Sequence, residues 1–414
     1  MNPEQKQASA DTCADLSGQL LTIDSLSLFL SELGVSVRNN LLTKETDVTG
    51  KLDTYSQANA ANTLPSILSD LLKQNGAKGC GTARVKEFLS CIADARRYNP
   101  VIEYLHAQKW DGQDRLPGLY ATLGIESDEK YQTYLRKWLL QCVVLAKNDE
   151  QNPIGAEGVL VLLGSQGAGK TSFFRKLCPN PRWFAEGVSL DIRDKDSQIR
   201  ALGSWICELG ELDATTKKEQ PALKAFLTAA EDRIRLPYDT APTRAARHTS
   251  FCGTVNDDRF LRDTTGSRRY WTIPANNMRK DMVFAMTRDS VDQLWAQTFQ
   301  IYLDDPRGFR LTDAEIRQLQ RDNQAFEAPL PYETELRELF DFGIPISDWQ
   351  WWKVSELKQA GLLDFSRGDA AKAGRACMKL ATELESKNYV SRAHKIVRGI
   401  ALYLFPIRRF DAPP

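Results

Sequence analysis

Lys170 and Thr171 close the run Gly164-Ser-Gln-Gly-Ala-Gly-Lys-Thr171, which fits the pattern G-x-x-x-x-G-K-[ST]. Side-by-side lysine and hydroxyl behind three glycines suit the chemistry of holding nucleotide phosphates. Glycine lets the backbone fold tightly enough for its N–H groups to point inward as donors. The Lys170 ammonium would reach the β- and γ-phosphates, and the Thr171 hydroxyl would ligate Mg²⁺. Gly164, Ser165, Gln166, Gly167, Ala168, Gly169 and Ser172 would make up the rest of the ATP cradle. A glycine-rich turn before an ordinary helix is the competing reading. The flanks argue against it: Val159 to Leu163 reads as a strand buried on both faces, and a helix begins near Lys170 with its positive end toward the same anion.

Other reactive groups follow in order. The stretch 204–213, Ser-Trp-Ile-Cys-Glu-Leu-Gly-Glu-Leu-Asp, is an apolar run ending in carboxylates. Phosphoryl transfer to water needs an acid at the end of a neighbouring parallel strand for the metal shell, and another to polarise the attacking water. Glu208 is expected in the metal shell and Glu211 as the base; an acidic turn after a strand is the alternative. Asn256 ends a further predicted strand, where its amide would hold the attacking water or touch the γ-phosphate. Arg268 and Arg269 directly precede another strand, and either would serve as an arginine finger from a neighbouring subunit. A structural ion pair is the alternative for the second of them. Residues 233–247 carry Arg233, Arg235, Arg244 and Arg247 against the single acid Asp239, with Tyr238 between. That pattern suits a hairpin contacting phosphate and stacking on bases, or else a solvated loop.

These groups need a scaffold to hold them. At 414 residues the chain has length for two or three domains, and 54 Lys/Arg balance 54 Asp/Glu, so any nucleic-acid surface must be local. Eight scattered cysteines without Cys-x-x-Cys, and three histidines, argue against zinc and for unpaired thiols in a reducing compartment. No apolar signal core opens the chain and no run approaches a membrane span, so a cytoplasmic protein with no membrane contact is expected. Four regions are predicted: a mostly helical N-terminal region (1–97), a helical lead-in (98–157), an α/β nucleotide-binding core (158–325) and, past the proline-rich joint 328–332, a C-terminal domain (331–414). In the last, helices precede a two-stranded wing. Residues 375–410 hold eight Lys/Arg against two acids, so Arg392, Lys395 and Arg398 are candidate DNA contacts, with a plain basic tail as the alternative.

Seven stretches in order carry a resemblance: Tyr98-Asn-Pro-Val with Trp110-Asp-Gly and Arg115-Leu; Gly164 to Thr171; Trp205 to Asp213; Leu223-Lys-Ala-Phe-Leu; Asp232-Arg-Ile-Arg-Leu-Pro-Tyr; Gly253-Thr-Val-Asn-Asp-Asp; and Asp263 to Trp271. Together they resemble the virulence-associated protein E family of phage and mobile-element proteins, akin to superfamily 3 helicases. The resemblance implies an AAA+-like P-loop ATPase core, ATP and Mg²⁺, a homo-oligomeric ring expected to be hexameric, and movement along single-stranded DNA. With the residue reading, the expected fold is α/β, a parallel sheet flanked by helices with a winged-helix-like C-terminal domain, and the expected partners are single-stranded and forked DNA. The resemblance places Lys224, Arg233 and Arg235 in the region of a pore hairpin, makes Asn256 the sensor and Arg268 or Arg269 the finger. Relatives often carry a primase domain, for which too few residues precede the core here; a primase or other replication protein remains a candidate partner. An ATP-dependent helicase or translocase is therefore expected. The competing class is an ATP-gated DNA-binding assembly module, at an origin or in a defence complex, that does not unwind. A small-molecule kinase fits less well, since two basic regions and no substrate lid accompany the loop.

Overall fold

The computed structural model describes residues 16–50, 59–210, 220–234, 243–261 and 267–407. The chain divides into two compact units, Met1–Asp257 with Arg268–Arg321, and Asp258–Ser267 with Asp322–Pro414. No helix among the described residues is long and apolar enough to cross a membrane.

The first unit opens with the helix Ile23–Glu32. Its cap is Thr22: the Ser25 amide donates to the Thr22 hydroxyl, and the Thr22 amide donates back to the Ser25 hydroxyl. Gly34, at φ +64°, follows its end. Strands β1 (Ser36–Asn40) and β2 (Glu45–Thr49) then pair antiparallel, and β3 (Arg97–Tyr98) adds to β1 in parallel. The helices Ala60–Gln74 and Thr82–Asp94 cover this sheet through Leu64, Leu68, Leu72, Val85, Leu89 and Ile92. Helices make up most of this region, and β1 lies within residues 35–42, whose weak alternation reads as a strand; β2 and the pairing of β1 with β3, nearly sixty residues on, leave no such mark in the sequence.

The lead-in serves the larger sheet. Asn99 caps the helix Pro100–Ala107 and also donates from its Nδ2 to the Ala146 carbonyl (2.8 Å), joining that helix to the end of the helix Glu129–Ala146. Gln141, which breaks the apolar run of the longer helix, is fully buried. Its Nε2 donates to the Gly158 carbonyl (2.9 Å), and its Oε1 accepts from the Glu157 and Gly158 amides (2.7 and 3.1 Å). Every polar atom of this side chain is thus spent on the entry to the next strand.

That strand is β4 (Val159–Leu163), followed by β5 (Phe184–Val188), β6 (Ile206–Leu209), the hairpin β7 (Glu231–Ile234) and β8 (Thr243–Ala246), β9 (Ser250–Val255) and β10 (Tyr270–Pro274). Five of them form one all-parallel sheet in the order β10-β4-β9-β6-β5. β4 is buried at every residue, as a central strand covered on both faces must be. Gly158 admits no side chain, because a Cβ there would lie 2.4 Å from Trp271 Nε1. Indole N–H groups tie the layers together: Trp138 to the Phe251 carbonyl (2.9 Å), Trp205 to Cys142 (2.9 Å) and Trp295 to Leu177 (2.7 Å).

The second unit packs the helices Glu333–Glu338, Val354–Gln359 and Ala370–Ser386 against an antiparallel sheet of β11 (Gln350–Trp352), β12 (His394–Val397) and β13 (Ile400–Phe405), ordered β11-β13-β12. Ala373, Ala376, Cys377, Leu380, Ala381 and Leu384 form the buried stripe of the long helix. The two-stranded wing expected near the end of the chain is β12–β13. It turns tightly at Arg398 and Gly399, both at positive φ (+50° and +79°), the geometry that matches strand twist. A third strand, β11, was not foreseen.

At the base of the β7–β8 hairpin, Arg247 is 1% exposed and ion-paired with the equally buried Asp232, its Nε 2.9 Å from Asp232 Oδ1. The guanidinium also lies 4.5 Å from the Phe226 ring centroid. Arg247→Met should destabilise the protein by about 3–5 kcal/mol, since it leaves Asp232 charged and unpaired in the interior. In denaturant melts, an Asp232→Leu/Arg247→Met double variant should recover much of that loss; a double variant as unstable as the summed singles would show that the two do not act as a pair. Nearby, burial first and then the Lys44 charge lower His248 to about 4. Its imidazole is neutral in the fold, so the stability it contributes is complete above the ordinary 6.5 and is lost as pH falls through about 4. Melting temperatures followed down that range should fall less steeply in His248→Gln.

Candidate functional site

The Gly164–Thr171 loop leaves the C-terminal end of β4 and enters the helix Lys170–Leu177. Gly167 and Gly169 take φ of +80° and +101°, a backbone only glycine adopts without strain. Lys170, 6% exposed, folds back over the loop. Its Nζ donates to the carbonyls of Gly164 (2.6 Å) and Ser165 (2.8 Å) and to Asn256 Oδ1 (3.0 Å). Burial pulls the Lys170 ammonium below its ordinary pKa, and the Glu208 carboxylate opposes that shift.

Glu208 ends in a second cluster. Only 2% exposed, it accepts on Oε1 from the hydroxyls of Thr171 (2.6 Å) and Thr254 (2.9 Å), and on Oε2 from the Gly187 amide (3.3 Å). Thr171 sits on the first turn of the helix, Glu208 on β6, Thr254 on β9 and Asn256 one residue past β9. Three segments thus deliver Lys170, Thr171, Glu208 and Asn256 to one place at the C-terminal ends of parallel strands, where open α/β sheets bind ligands. The acid strand is not the neighbour of β4, as the sequence suggested; β9 lies between them, and Thr254 on β9 spans the gap. Neither Thr254 nor Gly187 was foreseen. Both act as hydrogen-bond donors to a carboxylate, a role without a sequence signature. A hydroxyl and a buried carboxylate 2.6 Å apart, beside a lysine and a cradle of amides, fit a Mg²⁺ shared with phosphate oxygens.

The remaining candidates are scattered. Arg268, exposed, and Arg269, half-buried, precede β10. Tyr270 pairs with Val159 at the start of β4, so both arginines stand at the end of the sheet opposite the loop. Four residue steps separate the two ends of β4, about 13 Å. Among the described residues neither guanidinium has an ion-pair partner. With Glu157 and Trp271 they line a pocket of about 160 Å³.

Of the DNA candidates, Arg233 is exposed on β7, facing Arg244 on β8, and Arg244 is paired with Glu231 (2.6 Å). The hairpin expected over residues 233–247 therefore forms at its base. Two calls on it are corrected: Lys224 is 5% exposed and Arg247 is the buried partner of Asp232, so neither presents its charge to a solvent-side ligand. Glu211, Arg235 and Tyr238 lie outside the described residues. In the second unit Arg392 and Arg398 are exposed, and Lys395 holds its ammonium 3.8 Å from the Trp351 ring centroid.

A family model described as the Virulence-associated protein E-like domain matches residues 105–328, more than half of the chain. Two solved structures of the NrS-1 C terminal region, in its A form without ligand, are similar at 11% and 10% identity and a TM-score of 0.45 each. They cover 92% and 91% of this chain and 98% of those chains. No curated protein matches.

Lys170→Ala should abolish binding of Mg-ATP, because the cation facing the loop is lost, while circular dichroism stays that of the unaltered chain. Calorimetric titration checks this, and a folded variant that binds Mg-ATP as the parent does would remove the loop from the site.

Proposed function

This chain belongs to the virulence-associated protein E-like family, and we propose that it is an ATP-driven DNA helicase or translocase acting in the replication of a phage or mobile element. The observation that carries this reading is the convergence of Lys170, Thr171, Glu208 and Asn256 at one end of a parallel sheet. The order β10-β4-β9-β6-β5, with one strand between the loop strand and the acid strand, supports an AAA+-like core.

In this proposal residues 164–172, through loop amides beyond Gly164, whose own amide donates to the Val255 carbonyl, and the Lys170 ammonium bind the phosphates of ATP. Thr171 and Glu208 hold Mg²⁺, which when bound offsets charge on the phosphate oxygens. Asn256, already hydrogen-bonded to Lys170, touches the γ-phosphate or orients the water that attacks it. Glu211, two residues beyond the end of β6, takes the proton from that water. Contacts that differ between ATP and ADP then bias the position of the hairpin, on which Arg233, Arg235, Tyr238 and Arg244 contact single-stranded DNA. The second unit, winged-helix-like, adds Arg392, Lys395 and Arg398 against the duplex part of a fork.

The arginine finger requires a second copy. Arg268 and Arg269 lie across the full length of β4 from the loop of their own chain, too far to reach its γ-phosphate. A ring in which each chain offers these arginines to the loop of the next, hexameric in the family's manner, meets that requirement. Mixing tests it. Lys170→Ala chains, which do not bind Mg-ATP, should not hydrolyse it, and Arg269→Ala chains should hydrolyse it about a thousandfold more slowly than the parent. Co-assembled, they should regain part of the rate at interfaces that pair an intact loop with an intact finger. The same mixture with Arg268→Ala identifies which arginine acts. Co-assembly without recovery in either mixture would overturn the shared site. ATP turnover without strand displacement on forked DNA would overturn the helicase reading in favour of an ATP-gated assembly module.

A further inference from the structure

The loop that follows β10 carries residues to which no motif drew attention. It runs from Ala275 to Lys280 along the Gly164–Thr171 loop. A Cβ on Gly164 would lie 3.4 Å from the Ala275 carbonyl and 3.5 Å from Asn276 Oδ1; one on Gly169 would lie 3.6 Å from Lys280 Cγ and 4.0 Å from Met278 Cε. The segment is fixed in place. The Ala275 amide donates to Leu163 (2.6 Å) and the Arg279 amide to Thr122 (2.9 Å), while the Arg279 side chain pairs with Glu126. Lys176, on the helix that starts at Lys170, donates to the Met286 carbonyl (3.3 Å) just past the helix Lys280–Ala285. Lys280 itself is exposed, and among the described residues its ammonium has no ion-pair partner.

We infer that Lys280 is a second phosphate-binding cation of this site, supplied by the same chain to the α- and β-phosphates of a bound nucleotide. The inference rests on the nucleotide-binding reading. Its further content comes from the sheet order. Asn256 and Glu208, the groups facing the transferred phosphate, reach the loop from the β9 side of β4. Lys280 reaches it from the β10 side, against Gly169 at the head of the helix. A nucleotide with its terminal phosphate between Lys170 and Asn256 extends its other phosphates along the helix N-terminus, past Gly169. The Lys280 ammonium, three bonds beyond a Cγ already at Gly169, meets the part of the ligand that ATP and ADP share. An interaction made equally with substrate and product governs affinity and not the chemical step.

The test is calorimetric titration of the full chain with Mg-ADP and, separately, Mg-ATP, beside steady-state ATP turnover. Lys280→Ala should raise both dissociation constants by about tenfold, by the same factor for the two nucleotides, at unchanged kcat and melting temperature. Lys280→Arg, which keeps the charge, should restore most of the affinity. Parental affinity of Lys280→Ala for both nucleotides would overturn the inference while leaving the loop assignment intact. A loss confined to ATP would also overturn it, since it would place the cation at the γ-phosphate. Failure of the unaltered chain to bind either nucleotide would overturn the phosphate-loop reading, and this inference with it.

Discussion

An ammonium held almost out of solvent must be surrounded by oxygen, and much of the first unit is arranged around meeting that demand at Lys170. Two of its acceptors are carbonyls of the loop itself, so the cation closes the loop on its own backbone. The third, Asn256, follows directly on the strand beside β4, so the same cation fixes where that strand ends relative to the loop. A dianionic or trianionic ligand offers better acceptors than neutral carbonyls do, and the burial that depresses the Lys170 pKa would be offset by its charge.

Glu208 presents the opposite case, a buried carboxylate met only by neutral donors. Thr171, Thr254 and the Gly187 amide give it three hydrogen bonds but no cation among them. Because the donors come from the helix, from β9 and from β5, the acid is held by three elements at once and its two oxygens are spent in different directions. Charge at this end of the sheet is thus split into a lysine side and a carboxylate side, with Thr171 hydrogen-bonded to the latter and adjacent in sequence to the former.

The strand–loop–helix unit was legible because its chemistry is local. Glycines at positive φ, a buried apolar strand and a lysine at the helix head are consecutive residues, and each constrains the next. The β7–β8 hairpin and the β12–β13 wing were legible for a similar reason, being pairings between near neighbours in sequence. What depended on distant partners was not. Arg247 reads as one more cation in a basic stretch, and only the fold sets Asp232 beside it and Phe226 beneath it. Lys224 looks like a solvent-facing lysine until its helix is packed. Gln141 reads as an interruption in an apolar helix because its partners, the backbone of residues 157 and 158, become neighbours only after folding. The insertion of β9 between β4 and β6 is a topological choice that leaves no mark on any of the three strands.

The buried charges below the hairpin show how the N-terminal sheet enters the same structure. Lys44, in the turn between β1 and β2, donates to the Leu202 carbonyl (2.9 Å) at the end of the helix Lys195–Leu202, where the helix dipole favours a cation. It also feels Asp232 and Arg247 at once, attraction from one and repulsion from the other. One carboxylate cannot balance two full cations and a protonated imidazole in the interior. Accordingly His248 stays neutral at ordinary pH, and burial draws Lys44 down to about 8. The Arg247 guanidinium takes the carboxylate, its Nε 2.9 Å from Asp232 Oδ1. The hairpin is held by Arg247 and Asp232, and Lys44 joins the β1–β2 turn to the helix that precedes the acid strand.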